Sequence, residues 1–316
     1  MGARIHARVS VSAGLRSKME WWLAEVGLDV TWLASDAELE AVLGEVEVVL
    51  CGAPIRVDWT QATRLRLLHV LGSGVELLHG APGLCAEAVV TNSRGIHGNE
   101  MRDHVLCMML AFARELPRVF HQQHERRFEQ FAAGTLSGCT LGILGLGHVG
   151  RSVAEGAAAL GMRVIGTRAH PQATPFVDRV GGPNDTLEVL RASDYVLVSV
   201  PATTATRGLL GARELSVLPG HAVLVHVSRG GVVDEDALVE ALGEGRLRGA
   251  ALDVFSQEPL PENSPFWGLS NVIVSPHYAG TSADYLQRAL GVFLQNLELL
   301  AAGREPLTRV DLARGY

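Results

Sequence analysis

The stretch that decides the fold is residues 140–160, which read TLGILGLGHVGRSVAEGAAAL. Thr140–Leu144 is an apolar run typical of a buried strand, and Arg151–Leu160 has the apolar spacing of a helix. A Gly-x-Gly-x-x-Gly motif lies between them, and in that position it indicates a turn that receives a pyrophosphate at the helix N-terminus. The strand–turn–helix context favours this interpretation over a purely structural glycine turn, since the bare motif is weak evidence in a chain with 35 glycines. The predicted dinucleotide-binding residues of the motif are Gly145, Gly147, His148, Val149 and Gly150.

The end of the next predicted strand, Arg163–Thr167, distinguishes between the two nicotinamide dinucleotides. In an NAD site, an acidic side chain there accepts hydrogen bonds from the adenosine ribose. Here the chain continues with Arg168, Ala169 and His170, and no carboxylate is present. Arg168 offers a guanidinium suited to a ribose 2′-phosphate, with Thr167 as a hydrogen-bond partner. We expect NADP to be preferred and NAD to be possible; the alternative is a surface arginine beside a tolerant NAD site.

Strand candidates continue from the motif to Pro276. The six are Thr140–Leu144, Arg163–Thr167, Tyr195–Val200, Ala222–Ser228, Ala250–Phe255 and Asn271–Ser275. Six parallel strands are typical of a dinucleotide-binding sheet. A second strand–helix alternation precedes the motif, with strands predicted at Arg4–Ser10, Asp29–Ala34, Glu47–Gly52, Arg66–Leu71 and Ala88–Thr91, and helices at Ser17–Val26 and Asp36–Gly44.

The length of 316 residues favours two hydrophobic cores over one. The long amphipathic pattern of Ser282–Ala302 comes too late for the six-strand unit, so we expect it to complete the first domain. The predicted fold is α/β, with two doubly wound parallel-sheet domains. A Rossmann cofactor domain of residues 98–281 is inserted into a flavodoxin-like substrate domain formed by residues 1–97 and 282–316.

Composition excludes several classes of function. The 27 basic residues minus 34 acidic residues leave a net charge of −7 without a basic run, so we expect no nucleic-acid partner. Apolar stretches such as Leu106–Ala113 are too short to span a membrane, and Arg4, His6 and Arg8 stand where a signal peptide would be apolar. We expect a cytoplasmic protein without membrane association.

Lysine and cysteine are informative through their scarcity. Lys18 is the only lysine, and its polar surroundings exclude a Walker loop and a Schiff-base mechanism. The four cysteines, Cys51, Cys85, Cys107 and Cys139, lack the spacing of a zinc site. We expect no metal and reduced, mostly buried thiols.

The segment Val105–Phe112 is apolar around the whole circumference of its predicted helix, whereas a surface helix shows one apolar stripe. Such a helix needs cover on all sides. We expect a domain junction and a homodimer interface to provide it; a buried core helix is the alternative.

Three segments near strand ends carry the remaining motifs, and ligands of open α/β sheets bind at such ends. They are HVSRGGVVDE at 226–235, ALDVFSQEP at 251–259 and SPHYAG at 275–280. In this order, with the glycine motif upstream, the chain resembles the D-isomer-specific 2-hydroxyacid dehydrogenases. The resemblance runs from about Arg66 to Leu300, and the first 60 residues match only in their strand–helix pattern.

The resemblance implies a catalytic arginine, glutamate and histidine at Arg229, Glu258 and His277. Reducing a 2-keto acid requires a hydride from a nicotinamide and a proton for the carbonyl oxygen. A histidine beside a carboxylate suits proton donation near neutral pH, and an arginine can bind the substrate carboxylate. We therefore expect His277 to be the acid, Glu258 its partner and Arg229 the substrate clamp.

Other site residues also follow from the resemblance. Gly72, Ser73 and Gly74 match its substrate loop, whose backbone N–H groups can bind a carboxylate. Arg94 and Tyr278 are candidates to contact the substrate side chain; the alternatives are a solvent-facing arginine and a packing tyrosine. Further cofactor contacts are expected at Val200, Pro201, Val227, Ser228, Asp253 and Gly280. The chain departs from the family pattern at His226, where asparagine is common, and at Arg102-Asp103, where Ala-Glu is common.

The function expected from these residues is NADP-dependent or NAD-dependent reduction of a small 2-keto acid, such as glyoxylate or hydroxypyruvate. An NAD(P)H-sensing corepressor-like protein on the same scaffold stays open, because such relatives can keep all three catalytic residues. A methyltransferase that uses the glycine motif for S-adenosylmethionine predicts an acidic residue in place of Arg168.

Overall fold

A computed structural model describes residues 5–9, 11–75, 78, 83–84 and 88–312. The predicted ends of the first strand, Arg4 and Ser10, and Cys85 lie outside these residues. The chain divides into two compact units, Met1–Ile96 with Ser282–Tyr316 and His97–Thr281. The first boundary lies one residue before the predicted one.

The described strands and helices alternate along the chain. The strands are β1 (Ile5–Val9), β2 (Val30–Trp32), β3 (Val48–Gly52), β4 (Leu67–Val70), β5 (Val89–Asn92), β6 (Thr140–Leu144), β7 (Arg163–Thr167), β8 (Arg179–Gly181), β9 (Tyr195–Val198), β10 (Val223–His226), β11 (Gly249–Leu252) and β12 (Val272–Val274). The α-helices are α1 (Ala13–Glu25), α2 (Asp36–Val42), α3 (Gly98–Ala113), α4 (Leu116–His124), α5 (His148–Ala159), α6 (Thr186–Arg191), α7 (Ala212–Ser216), α8 (Glu235–Gly243) and α9 (Tyr285–Ala301).

The first unit contains a parallel sheet in the order β2-β1-β3-β4-β5. Its central strands are apolar on both faces because helices or loops cover both faces, as parallel sheets require. Helix α9 buries Ala289, Leu290 and Phe293 in a cluster with residues of β1 and β3. The long C-terminal helix of the sequence prediction therefore packs on this sheet.

The C-terminal segment after α9 returns to the edge of this sheet. Arg309 forms an antiparallel bridge with Thr91, and the Val310 amide donates to the Val90 carbonyl over 2.8 Å. This segment therefore covers β5, the edge strand, along its outer side.

The second unit contains a parallel sheet in the order β12-β11-β10-β9-β6-β7-β8. The parallel pairing in both sheets confirms the predicted α/β class. The prediction of six strands is wrong by one, because β8 is a three-residue edge strand without an apolar run. Strand β6 is followed by β7 and β8 on one side and by β9 to β12 on the other, so the direction of winding reverses between β6 and β9.

Helix α3 is only partly covered within its own unit. Val105 and Met109 are buried in the cluster that includes α5 and β6, whereas Cys107 and Leu110 are exposed. The all-round apolar pattern thus corresponds to one buried and one exposed face. Of the three cysteines described, only Cys51 is buried, so the expectation of mostly buried thiols is wrong. Within the described ranges, no helix is long and apolar enough to cross a membrane.

Candidate active site

The glycine motif forms a tight turn between β6 and α5. Gly145 has φ +102°, a conformation that side-chain-bearing residues rarely adopt, and a Cβ on Gly150 would lie 2.3 Å from the Gly145 carbonyl oxygen. A Cβ on Gly147 would meet no atom within 4 Å, so this glycine faces open space at the helix N-terminus. This turn, beside the point where the winding reverses, fits the pyrophosphate of a dinucleotide.

Neighbouring residues surround this turn. The Ser199 hydroxyl donates to the Gly145 carbonyl over 2.9 Å, which ties the turn to the end of β9 just before Val200 and Pro201. His148 is the first residue of α5, and burial together with the nearby Arg151 charge lowers its pKa. Val149 is half-buried in the same first turn.

Arg168 directly follows β7, next to the buried Thr167. Its backbone N–H donates to the Gly181 carbonyl over 3.1 Å, which fixes the backbone at Arg168. The guanidinium has no hydrogen-bond or ion-pair partner in the described part of the chain. A cation is therefore available at the strand end where the ribose phosphate of NADP would bind.

The three predicted catalytic residues follow three adjacent strands of one sheet. Arg229 comes after β10, Glu258 after β11 and His277 after β12. Because the strands are parallel, all three lie at the same end of the sheet, beyond the carboxyl ends of the strands. The Nδ1 of His277 lies 2.7 Å from Oε2 of Glu258, and both side chains are partly exposed.

Glu258 is itself held by the backbone, since its Oε1 accepts a hydrogen bond from the Phe255 amide over 2.9 Å. An ionised carboxylate only accepts hydrogen bonds, so an ionised Glu258 requires the tautomer of His277 that carries a proton on Nδ1. The ring is thereby oriented with Nε2 pointing away from Glu258. This arrangement can deliver a proton from Nε2 to a bound carbonyl oxygen.

Asp253 anchors the turn that carries His277. Its carboxylate accepts hydrogen bonds from the Ser275 hydroxyl (2.5 Å), the Tyr278 amide (3.1 Å) and the Ala279 amide (2.9 Å). His277 has φ +51°, and these three bonds stabilise that left-handed conformation. Sequence reasoning assigned Asp253 to the nicotinamide and missed this anchoring function, because no local pattern links position 253 to positions 275–279.

The Arg229 segment lies directly against the segment that precedes Glu258. A Cβ on Gly230 would lie 2.1 Å from the Phe255 carbonyl oxygen, so only glycine fits there. The Arg229 guanidinium donates to the Ser228 carbonyl over 2.7 Å. Val227 and Ser228, the predicted nicotinamide contacts, are buried at the end of β10.

Both departures from the family pattern have structural partners. His226 is buried, its Nδ1 lies 3.3 Å from the Ser228 hydroxyl, and burial lowers its pKa to about 4. It is therefore a neutral group at neutral pH. On α3, Arg102 lies 3.0 Å from the Asp103 carboxylate.

Two residues near His277 contact α3 or the segment before it. The Tyr278 ring packs edge-on against His104, with centroids 5.1 Å apart, and burial lowers the pKa of His104 while Asp253 opposes the shift. The Gly280 carbonyl lies 3.1 Å from Nδ1 of His97. Within the described residues, no group of three or more metal-binding side chains is present.

The predicted substrate residues Gly72, Ser73, Gly74 and Arg94 belong to the first unit. The first three form the loop after β4. Arg94 follows β5, and its guanidinium donates to the Arg309 carbonyl over 2.9 Å. This contact ties Arg94 to the C-terminal segment.

Comparison with known proteins agrees with this geometry. A family model described as "D-isomer specific 2-hydroxyacid dehydrogenase, NAD binding domain" matches residues 106–279. The glycerate dehydrogenase of Methylorubrum extorquens is 31% identical over 287 residues, which cover 87% of this chain and 88% of that protein. The chain spans about half the length of the D-3-phosphoglycerate dehydrogenases that it also matches, 53% in one case.

Two solved structures are similar along the whole chain. A D-isomer specific 2-hydroxyacid dehydrogenase from Xanthobacter autotrophicus Py2, in complex with NADPH and MES, has a TM-score of 0.90 and 34% identity, covering 100% of both chains. The NADPH-dependent glyoxylate/hydroxypyruvate reductase of Sinorhizobium meliloti, in complex with NADP and sulfate, has a TM-score of 0.87 and 26% identity, covering 99% of this chain and 100% of that one. With more than half of its residues matched by the family model and a relative of 31% identity matched over most of its length, the chain belongs to the D-isomer specific 2-hydroxyacid dehydrogenase family.

Proposed function

We propose that this protein is an NADP-preferring reductase of small 2-keto acids, with glyoxylate and hydroxypyruvate as the simplest substrates. The observation that carries the proposal is the pair formed by His277 and Glu258, 2.7 Å apart. This pair lies at the carboxyl end of the sheet, where the glycine turn also follows β6. Family membership supports the reaction class, and a similar structure named as an NADPH-dependent glyoxylate/hydroxypyruvate reductase supports the substrate class.

The glycine turn and Arg168 are proposed to hold the cofactor. Backbone N–H groups at the start of α5 would bind the pyrophosphate, and the Arg168 guanidinium would bind the 2′-phosphate of NADP. A bound NADPH would supply a hydride to the keto carbon of the substrate. Further cofactor contacts are proposed at Val200, Pro201, Val227, Ser228, Asp253 and Gly280.

His277 is proposed as the general acid. Its Nε2–H would donate a proton to the keto oxygen of the substrate, leaving a neutral ring. Glu258 stabilises the protonated imidazole before the transfer and holds its orientation throughout, because the Phe255 amide fixes the carboxylate. Well-placed acid catalysis of this kind contributes about 10²- to 10⁴-fold to the rate.

Arg229 is proposed to bind the substrate carboxylate and to polarise the keto oxygen through charge-assisted hydrogen bonds. The amide groups of the Gly72–Gly74 loop are proposed, from the family resemblance, as substrate contacts. Arg94 and Tyr278 are proposed to contact the side chain of the substrate. The corepressor-like alternative is not favoured, since the relatives described above are named as enzymes.

The test is a spectrophotometric assay of the purified protein with NADPH or NADH and a panel of 2-keto acids. We expect loss of nicotinamide absorbance with glyoxylate and hydroxypyruvate, and faster turnover with NADPH. His277→Ala should lower kcat at least 100-fold while the Kd for NADPH stays unchanged.

The matched control is His221→Ala. His221 also pairs with a carboxylate, Asp194, over 2.7 Å, but these two residues precede β10 and β9, at the amino ends of the strands. The control should keep wild-type turnover. Absence of turnover with every pair of cofactor and keto acid would refute the enzyme proposal, and activity retained in the His277 variant would refute its acid role.

A homodimer in the cytoplasm is the proposed state of the protein. The exposed face of α3 and the exposed apolar residues of α4, Val119 and Phe120, support self-association. The cytoplasmic location and the absence of a nucleic-acid partner remain predictions from composition.

A further inference from the structure

Three consecutive carbonyl groups in the loop after β4 each accept a hydrogen bond from within the first unit. The donors are the Tyr285 hydroxyl to Leu71 (2.6 Å), the Ser93 amide to Gly72 (3.0 Å) and the Asn92 side-chain amide to Ser73 (2.6 Å). These donors belong to β5, the residue that follows it, and α9. The carbonyl side of the loop is therefore bound to the rest of the unit.

The donor side of the same loop is different. The backbone N–H groups of residues 72–75 make no hydrogen bond to any residue that the structure describes. The Ser73 hydroxyl is buried and likewise has no partner among those residues. A loop whose carbonyl groups at residues 71–73 are occupied, and whose N–H groups at residues 72–75 have no partner among the described residues, is suited to bind an anion.

Both ends of the Asn92 side-chain amide are hydrogen-bonded, and its backbone is bound to the C-terminal segment. Its backbone carbonyl accepts from the Thr308 hydroxyl (2.5 Å), and its Oδ1 accepts from the Arg94 amide (3.4 Å). Thr308 is in turn held by the Asn296 side-chain amide over 2.8 Å. All three linked residues, Asn92, Thr308 and Asn296, are buried, so the C-terminal segment fixes the orientation of Asn92.

From these contacts we infer that Asn92 is a positioning residue for substrate binding. By holding the Ser73 carbonyl, it keeps the N–H groups of residues 72–75 directed toward the carboxylate of a 2-keto acid. If the Ser73 carbonyl lost its donor, the following peptide group could rotate and present an oxygen that repels the carboxylate. The inference rests on the proposed function and names a residue outside the expected catalytic and binding set.

The test is Asn92→Asp, which keeps the shape of the side chain but replaces the donor with an acceptor. We expect KM to rise about 10- to 100-fold, the range of a lost charge-assisted contact, with kcat within about threefold of wild type. The factor should be the same for glyoxylate, pyruvate and hydroxypyruvate, because the carboxylate is the group that they share. The Kd for NADPH, followed by nicotinamide fluorescence, should not change.

The matched control is Asn271→Asp. The Asn271 side-chain amide also donates to a backbone carbonyl, that of Leu242 over 3.2 Å, but it lies in the second unit before β12. This variant loses an equivalent hydrogen bond and should keep the wild-type KM. If KM rose equally in both variants, Asn92 would contribute only to the stability of the fold, and the inference would be overturned.

Binding of oxalate to the NADPH-loaded protein, measured by calorimetry, gives a readout without turnover. Oxalate carries the carboxylate but cannot be reduced, and Asn92→Asp should weaken its Kd about 10-fold or more. An unchanged oxalate Kd or an effect limited to one keto acid would overturn the inference. A wild-type protein that binds oxalate but reduces no keto acid would refute the proposed function. The inference about Asn92 would then be tested by the oxalate Kd of the wild type against that of Asn92→Asp.

Tyr285→Phe provides the second variant if Asn92→Asp does not melt cooperatively. It removes only the hydroxyl that donates to the Leu71 carbonyl. We expect a rise in KM of about 3- to 10-fold with an unchanged Kd for NADPH. A wild-type KM in this variant would then overturn the inference.

Discussion

Glu258 uses its two carboxylate oxygens for different purposes. One accepts from the Phe255 amide and the other faces His277, so the side chain that orients the imidazole is itself held by the backbone. A side chain that must hold a catalytic group within about 0.5 Å of its productive position is effective only if it is itself fixed. The proposed acid therefore depends on a carboxylate whose own position is set by β11.

Glu258→Gln should lower kcat about 100-fold, because a neutral amide no longer stabilises the protonated imidazole. The measurement is kcat with saturating NADPH and glyoxylate. Glu262→Gln is the control, because Glu262 is exposed and has no hydrogen-bond or ion-pair partner among the described residues. A wild-type kcat in the Glu258 variant would contradict this role.

Arg168→Asp should lower the ratio of kcat/KM for NADPH to that for NADH by about 10- to 100-fold. The substitution removes a cation from the 2′-phosphate and adds a carboxylate that suits the ribose of NADH. Arg163→Asp is the control, because Arg163 is exposed at the opposite end of the same strand, β7. An unchanged ratio would show that Arg168 does not select the cofactor.

At the residue scale, the sequence predicted which side chains come together but not what orients them. Residues that follow adjacent parallel strands lie at the same end of the sheet, but the pairing of Glu258 with His277 was predicted from the family resemblance. The anchoring contacts of Asp253 reach residues that lie 22 or more positions away in the chain. The contact of Asn92 with Ser73 spans 19 positions, and each contact is a single hydrogen bond. Such contacts depend on tertiary geometry and leave no periodic pattern in the sequence.

At the scale of elements, buried strands were predicted well and short edge elements poorly. Strands β6 and β7 have the predicted bounds because each is an apolar run that ends at a turn. Strand β8 was missed since a three-residue edge strand needs only one hydrogen-bonded neighbour and few apolar residues. Helix α1 begins at Ala13, four residues before the predicted start, because the Ser12 hydroxyl caps it.

The close approach of the loops after β10 and β11 predicts the effect of Gly230→Ala. The new Cβ would lie 2.1 Å from the Phe255 carbonyl oxygen, so the backbone beside Arg229 must move. We expect kcat/KM to fall at least 10-fold and the free energy of unfolding to fall by about 1–3 kcal/mol. Assays and urea unfolding measure the two effects.

Gly243→Ala is the control for this substitution. Gly243 is the last residue of α8, and an added Cβ there would meet no atom within 4 Å. Alanine also favours the helix, so this variant should be fully active and at least as stable as wild type. If Gly230→Ala behaved in the same way, the contact between the two loops would not position Arg229.

At the scale of the whole molecule, the all-round apolar pattern of α3 predicted cover from a domain junction and a homodimer interface, with a buried core helix as the alternative. The second unit buries Val105 and Met109 but leaves Leu110 exposed, and α4 adds Phe120 with 62% of its surface exposed. Exposed apolar side chains on consecutive helices are consistent with an interface. The pattern could not specify the partner, because the same residues would suit any apolar surface.

If a second copy of the chain covers this face, light scattering should give a mass about twice 33.8 kDa. Phe120→Glu should shift the protein toward the monomer, because it places a charge in a desolvated contact. Phe176→Glu is the matched control, since Phe176 is similarly exposed, at 56%, but lies between β7 and β8. A monomeric wild-type protein would exclude the dimer, and equal dissociation by both variants would show that this face does not form the interface.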